Sequence, residues 1–147
     1  MHLAQHIETH IHTGDAADTV TLDYEARFLR RKRLVSDAGE PFLVELAETQ
    51  SLSQGEGFRL DDGRIIAVMA AAEPLLAVRH GNLARIAWHV GNRHTPCQIA
   101  DDHILIREDK VLQAMLEGLG ASVTQVTAPF TPEGGAYGHG RTHGHEH

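Results

Sequence analysis

PLLAVRHGNLARIAWHVGNRHTPCQIADDHILIREDKVLQAMLEGLGASVTQVTAPF, residues 74–130, alternates between two hydrophobic rhythms, and that alternation decides the fold. PLLAVRH (74–80) reads as a short strand. NLARIAWHVGNR (82–93) carries Leu83, Ile86, Ala87 and Val90 at i, i+3, i+4 and i+7, the stripe of an amphipathic helix. CQIADDHILIRE (97–108) reads as two short strands or a hairpin turning near Asp101 and Asp102. DKVLQAMLEGLG (109–120) predicts a second helix, with Asp109 as N-cap and Val111, Leu112, Met115, Leu116 and Leu119 facing inward. Gly120 is placed just past its end. SVTQVTAPF (122–130) is the last strand. Strand, helix, strand, strand, helix, strand is a split βαβ pattern, in which two helices cover one face of an antiparallel sheet.

Upstream, the period shortens to two. DTVTLDY sets Val20, Leu22 and Tyr24 on one side, and PFLVELAE does the same with Phe42, Val44 and Leu46. FRLDDGRIIAVMAA places Asp62-Gly63 between two apolar runs, which is a hairpin signal. Turn-rich SDAGEP and SLSQGEG punctuate the region. These features predict an all-β domain over residues 1–73, a second domain over 74–130, and an α+β chain overall. TPEGGAYGHGRTHGHEH (131–147) combines Pro and Gly with few apolar groups, so it is expected to be a flexible tail. At 147 residues, two such domains are each small and would gain from a partner subunit.

The formal net charge of -7 argues against nucleic acid as the main partner. RFLRRKR (27–33) is the one basic run, read as a solvated strand edge with docking of an acidic partner as the alternative. No apolar run is long enough to cross a bilayer and the N-terminus lacks a signal-peptide core, so no membrane partner is expected. The single cysteine, Cys97, excludes an intramolecular disulfide framework and fits a reducing cytoplasm.

Twelve histidines are the anomaly. His89 and His94 stand five apart in AWHVGNRHTP (87–96), poor spacing for one helix face. Gly91-Asn92 is a place for the helix to loosen, and Pro96 disfavours helical geometry at Thr95. His94 then sits at the helix exit; were the helix to continue, it would prolong the apolar stripe instead. One imidazole cannot hold a transition metal tightly. Across a two-fold axis the same side chain appears twice, so a pair of His94 rings would begin an intersubunit site. Neutral imidazole suits nickel, copper and zinc. His139, His143, His145 and His147 in the tail are further candidate ligands, separated mainly by glycine and suited to weak, exchangeable capture. His2, His6 and His10 are spaced by four and could share a helix face, but their β-like surroundings favour a strand. Cys97 is read as packed rather than ligating, and His103 as either an outer ligand or an ordinary turn residue. No G-x-S-x-G elbow, phosphate-binding glycine loop or H-E-x-x-H is present, and an enzyme is not expected.

HVGNRHTP, followed by QI, VLQAMLEGLG and PFTPEGGAYGHG with a histidine-bearing end, closely resembles the UreE family of urease accessory proteins. The resemblance is strong from Glu73 onward and more diffuse before it. It implies a cytoplasmic homodimeric nickel metallochaperone with an N-terminal β domain, sometimes described as peptide-binding, a ferredoxin-like metal-binding domain, and delivery of Ni2+ to the urease apoprotein complex together with an accessory GTPase. It assigns the central metal role to the histidine closing GNRH, His94, with tail residues including His145 and His147 completing the shell; Zn2+ or Cu2+ would fit the same donors. Two departures matter. Glu108 and Lys110 stand where some relatives carry extra histidines before the second helix, and the tail is short beside their polyhistidine ends. The rival reading is a metal-independent binding module of an assembly complex, its histidines only buffering metal.

Overall fold

The computed structural model describes residues 1–134, which divide into two compact units, Met1–Ala71 and the remainder from Ala72. The first unit is a six-stranded sheet of β1 (His2–Glu8), β2 (Asp18–Leu22), β3 (Phe28–Val35), β4 (Pro41–Ser51), β5 (Gly57–Leu60) and β6 (Ile65–Ala70). Its order is β2-β6-β5-β1-β4-β3, with β1/β4 and β2/β6 parallel and the other neighbours antiparallel. The period-two residues point inward as expected: Val20, Phe42, Val44 and Leu46 are buried, and the Phe42 and Phe58 rings meet at 5.8 Å. The expected hairpin forms between β5 and β6, with Gly63 at φ 90° in its turn.

β2 and β3 end the strand order, yet the turn after β3 returns to β2. The Asp37 carboxylate accepts from the hydroxyls of Thr19 and Thr21, and its backbone N–H donates to the Thr19 carbonyl. The sheet therefore rolls around its core. Those hydroxyls, Thr19 foremost, hold the Asp37 carboxyl below its ordinary value. Gly57 marks the tightest approach. A Cβ there would lie 2.5 Å from Ile11 Cδ1 and 2.6 Å from the Ile66 carbonyl oxygen. Gly57→Ala is expected to cost about 2 kcal/mol through strand displacement, visible as a lowered thermal midpoint.

The basic run is not uniform. Arg30 to Arg33 are exposed on β3, at the sheet edge as expected. Arg27, by contrast, is 2% exposed; its guanidinium donates to the carbonyls of Leu22 and Leu52 and lies 5.9 Å from the Tyr24 ring centre. It precedes β3, so it belongs to the core rather than to the solvated edge.

The second unit contains β7 (Ala72–Arg79), α1 (Leu83–Asn92), β8 (Gln98–Ile99), β9 (Ile104–Arg107), α2 (Lys110–Gly118) and β10 (Ser122–Pro129). Its antiparallel sheet has the order β10-β7-β9-β8, the ferredoxin-like split βαβ arrangement. Leu76, Val78, Ile104 and Ile106 from the sheet pack with Ile86 and Val90 of α1 and with Leu112 and Leu116 of α2. Asp109 caps α2 by accepting from the Leu112 N–H at 3.0 Å. One inward assignment is corrected: Val111 is 70% exposed. The buried arc of α2 centres on Leu112 and Leu116, and a residue one step from Leu112 is rotated by about 100°, out of that arc. No helix among the described residues is long and apolar enough to cross a membrane.

Candidate metal site

The exit of α1 is built like the exit of α2, with one difference. After α2, Gly120 donates to the Glu117 carbonyl and Ala121 to that of Leu116, the paired bonds of a Schellman motif, with Gly120 at φ 90°. After α1, His94 donates to the Gly91 carbonyl at 2.9 Å and Thr95 to that of Val90 at 3.3 Å. His94 takes the left-handed position, at φ 58°, where the other helix uses glycine. A residue with a Cβ pays about 1–2 kcal/mol for that backbone, somewhat less for histidine, which is enriched there. The helix thus runs through Gly91 and Asn92 rather than loosening at them, and Arg93 is its C-cap. Of the two geometries open from sequence, the exit is the one formed. His94 is exposed, and neither ring nitrogen has a hydrogen-bond partner among the described residues.

The other described histidines are placed differently. At His80, Nδ1 accepts from the Asn82 N–H at 2.8 Å, so Nε2 carries the proton and donates to the Leu119 carbonyl at 3.1 Å. With both nitrogens committed, this ring clamps the β7–α1 connection to the end of α2. His2 sets Nδ1 2.6 Å from Asp61 and Nε2 3.5 Å from Asp62, holding the Asp61 carboxyl below its usual value. His103 bonds Asp102 through Nδ1 at 2.6 Å, which likewise lowers the Asp102 carboxyl. His89 is half-buried, its ring edge-on to Trp88 at 5.0 Å. His6 lies in β1 and His10 follows it at φ 57°, so the spacing of His2, His6 and His10 makes no helix face.

Cys97 is half-buried against the second core, and burial, then Glu133, pushes its thiol up. A protonated thiol is a poor ligand, in keeping with packing. Glu108 accepts from Gln125 Nε2 and Asp109 is spent on the helix cap; both line a cleft with Thr95, Pro96 and Arg107 beside the His94 turn. No three His, Cys, Asp or Glu side chains converge among the described residues.

Two features near His94 escaped the sequence reading. Trp88 is 62% exposed, and with exposed Ala84 and Gly91 it makes an i, i+4, i+7 stripe on the face of α1 turned from the core. The spacing carries this second stripe beside the stronger inward one of Leu83, Ile86, Ala87 and Val90. Second, the chain after β10 is still tied down: Thr131 N–H donates to Gln98 Oε1 and Glu133 N–H to the Cys97 carbonyl at 2.8 Å. This roots the histidine-bearing end three residues from His94. His139, His143, His145 and His147 themselves lie outside the described residues.

Comparison with known proteins agrees with this layout. The family model described as the UreE urease accessory protein N-terminal domain matches residues 2–71, and that of the C-terminal domain matches residues 73–147. A urease accessory protein UreE of Ruegeria pomeroyi is 57% identical over 136 residues, covering 92% of this chain and 91% of the relative. One from Rhodobacter capsulatus is 61% identical over 132 residues (90% and 84% of the two chains), and one from Paracoccus denitrificans is 63% identical over 123 residues (84% and 79%).

Proposed function

This chain belongs to the UreE family of urease accessory proteins, and on that premise we propose that it is a nickel metallochaperone whose central ligand is His94. As an accessory protein it serves urease maturation and is not itself the urease. In the proposed working form two copies pair about a two-fold axis so that their His94 imidazoles face each other across one Ni2+. The observation that carries this reading is an exposed imidazole with both nitrogens unpartnered among the described residues, on a backbone that costs energy to hold. Strain of that kind persists where a side chain must be aimed.

A two-fold axis answers the lack of a three-donor cluster among the described residues, because each chain supplies one ring and the dimer two. The stripe of Ala84, Trp88 and Gly91 offers the apolar face such pairing needs. From Gly134 to His139 is five residues, a span of up to about 17 Å. In this reading His139, His143, His145 and His147 complete the shell around the ion. Imidazole donors exchange readily, so nickel would pass to the accessory GTPase and urease apoprotein complex by ligand substitution, with no covalent or redox step. Zn2+ and Cu2+ would compete for the same donors. The single cysteine fits work in the cytoplasm.

Calorimetric titration with NiCl2, with mass measured in parallel, tests this. One tight Ni2+ per dimer is expected; equally tight binding by a lone subunit would overturn the reading. Ending the chain after Gly134 is expected to remove the weaker nickel ions and to lower the affinity of the central one by about tenfold, the scale of losing supporting groups around a metal. An unchanged isotherm would remove the tail from the site.

A further inference from the structure

We propose that the edge strand β3 is a docking surface for an acidic protein segment, recognised through the side chains of Arg30, Arg31, Lys32 and Arg33. Cations elsewhere in the first unit are neutralised locally. Arg59 pairs with Glu8, Arg64 pairs with Glu40 and Asp62, and Arg27 is buried on two carbonyls. The four on β3 are treated differently. All are exposed, and the nearest carboxylate to Arg31 is Glu45 at 3.9 Å, beyond hydrogen-bond length. Arg30, Lys32 and Arg33 have no ion pair among the described residues.

Four consecutive cations occupy about 10 Å of strand. Their mutual repulsion costs stability, so their retention asks for a reason. Edge protection accounts for part of it. The register shifts between Leu29 and Arg31, and Lys32 stands opposite buried Val44 yet is itself exposed. An irregular register and charge on the edge already discourage strand addition. Protection by charge alone does not call for guanidiniums, whose planar forks match carboxylates. Recognition through the guanidiniums makes the contact one of side chains, so a neutral extended peptide should not bind. A nucleic acid fits less well. The whole chain carries -7, and β3 has no exposed aromatic ring on which a base could stack.

The full-length protein is titrated into a fluorescein-labelled ten-residue peptide of alternating Glu and Ser, and anisotropy is read at 25 and 200 mM NaCl. Binding is expected at low salt and about tenfold weaker at high salt, as screening shortens the reach of the patch. R30Q/R31Q/K32Q/R33Q should weaken it at least tenfold, R31Q/R33Q should fall between, and Lys110→Gln should match the wild type. All the substituted side chains are exposed, and the double variant keeps the test alive should the quadruple one misfold. The proposal is overturned if the acidic peptide does not bind, if the peptide with Gln for Glu binds equally, or if the variants bind as the wild type does. Tighter binding of labelled dT10 or of phosphatidylserine vesicles would overturn it in favour of a polyanion or a lipid surface.

Discussion

Replacing His94 with glycine is expected to make the protein more stable while leaving it unable to hold the proposed central nickel. The backbone there is left-handed, in the position that glycine takes after α2. Removing the Cβ relieves about 1 kcal/mol, which for a chain of this length raises the thermal midpoint by about 3 °C. The hydrogen bonds of the turn come from backbone groups and survive the change. The imidazole does not. Losing a group that merely orients a ligand costs 10–100-fold in metal affinity, so removing the ring from both copies should cost more than about a hundredfold. Differential scanning calorimetry of the metal-free variant and nickel titration of the same sample read the two effects separately. His94→Asn gives a third point, since asparagine tolerates the left-handed region but lacks the imidazole. A glycine variant that melts lower than the wild type would mean the ring does structural work, and one that keeps tight nickel would place the ion elsewhere.

That trade between strain and function also marks where the sequence could be read and where it could not. Strand and helix order followed from periodicity, because Phe42, Val44 and Leu46 or Ile86 and Val90 can be buried only if the chain adopts the matching period. Gly120 was legible as a helix end because glycine is the usual residue at that backbone conformation. The same motif after α1 was opaque, since a histidine there breaks the local preference and carries no signature of the turn. Arg27 was misread for a related reason. A charged residue beside three arginines and a lysine looks solvated, and only the fold supplies the carbonyls of Leu22 and Leu52 that let it be buried. Val111 shows the limit of counting apolar residues on a helix, whose buried arc is narrower than its apolar one. The candidate site lies where local rules fail, as expected of a position kept for function at a cost in stability.

Trp88→Ala is expected to break the proposed pair of subunits while sparing the fold of each. The side chain is 62% exposed and outside the core of its unit, so its loss removes little from the folded monomer. At an interface the balance reverses. Truncating a central aromatic anchor costs about 2 kcal/mol or more, and across a two-fold axis every substitution is made twice. About 4 kcal/mol corresponds to nearly a thousandfold in the dimer dissociation constant, enough to turn a dimer at micromolar concentration into a monomer. Sedimentation velocity across a concentration series measures this, and the circular dichroism spectrum should stay unchanged. Nickel affinity should fall in step with dimerisation and recover at high protein concentration, because the two His94 rings would still be present whenever the subunits meet. His94→Gly should show the opposite combination: an intact dimer that concentration cannot rescue for nickel. If Trp88→Ala left the dimer intact, the α1 face would not be the meeting surface. If it dissociated the dimer without touching nickel affinity, symmetry would not be what builds the site.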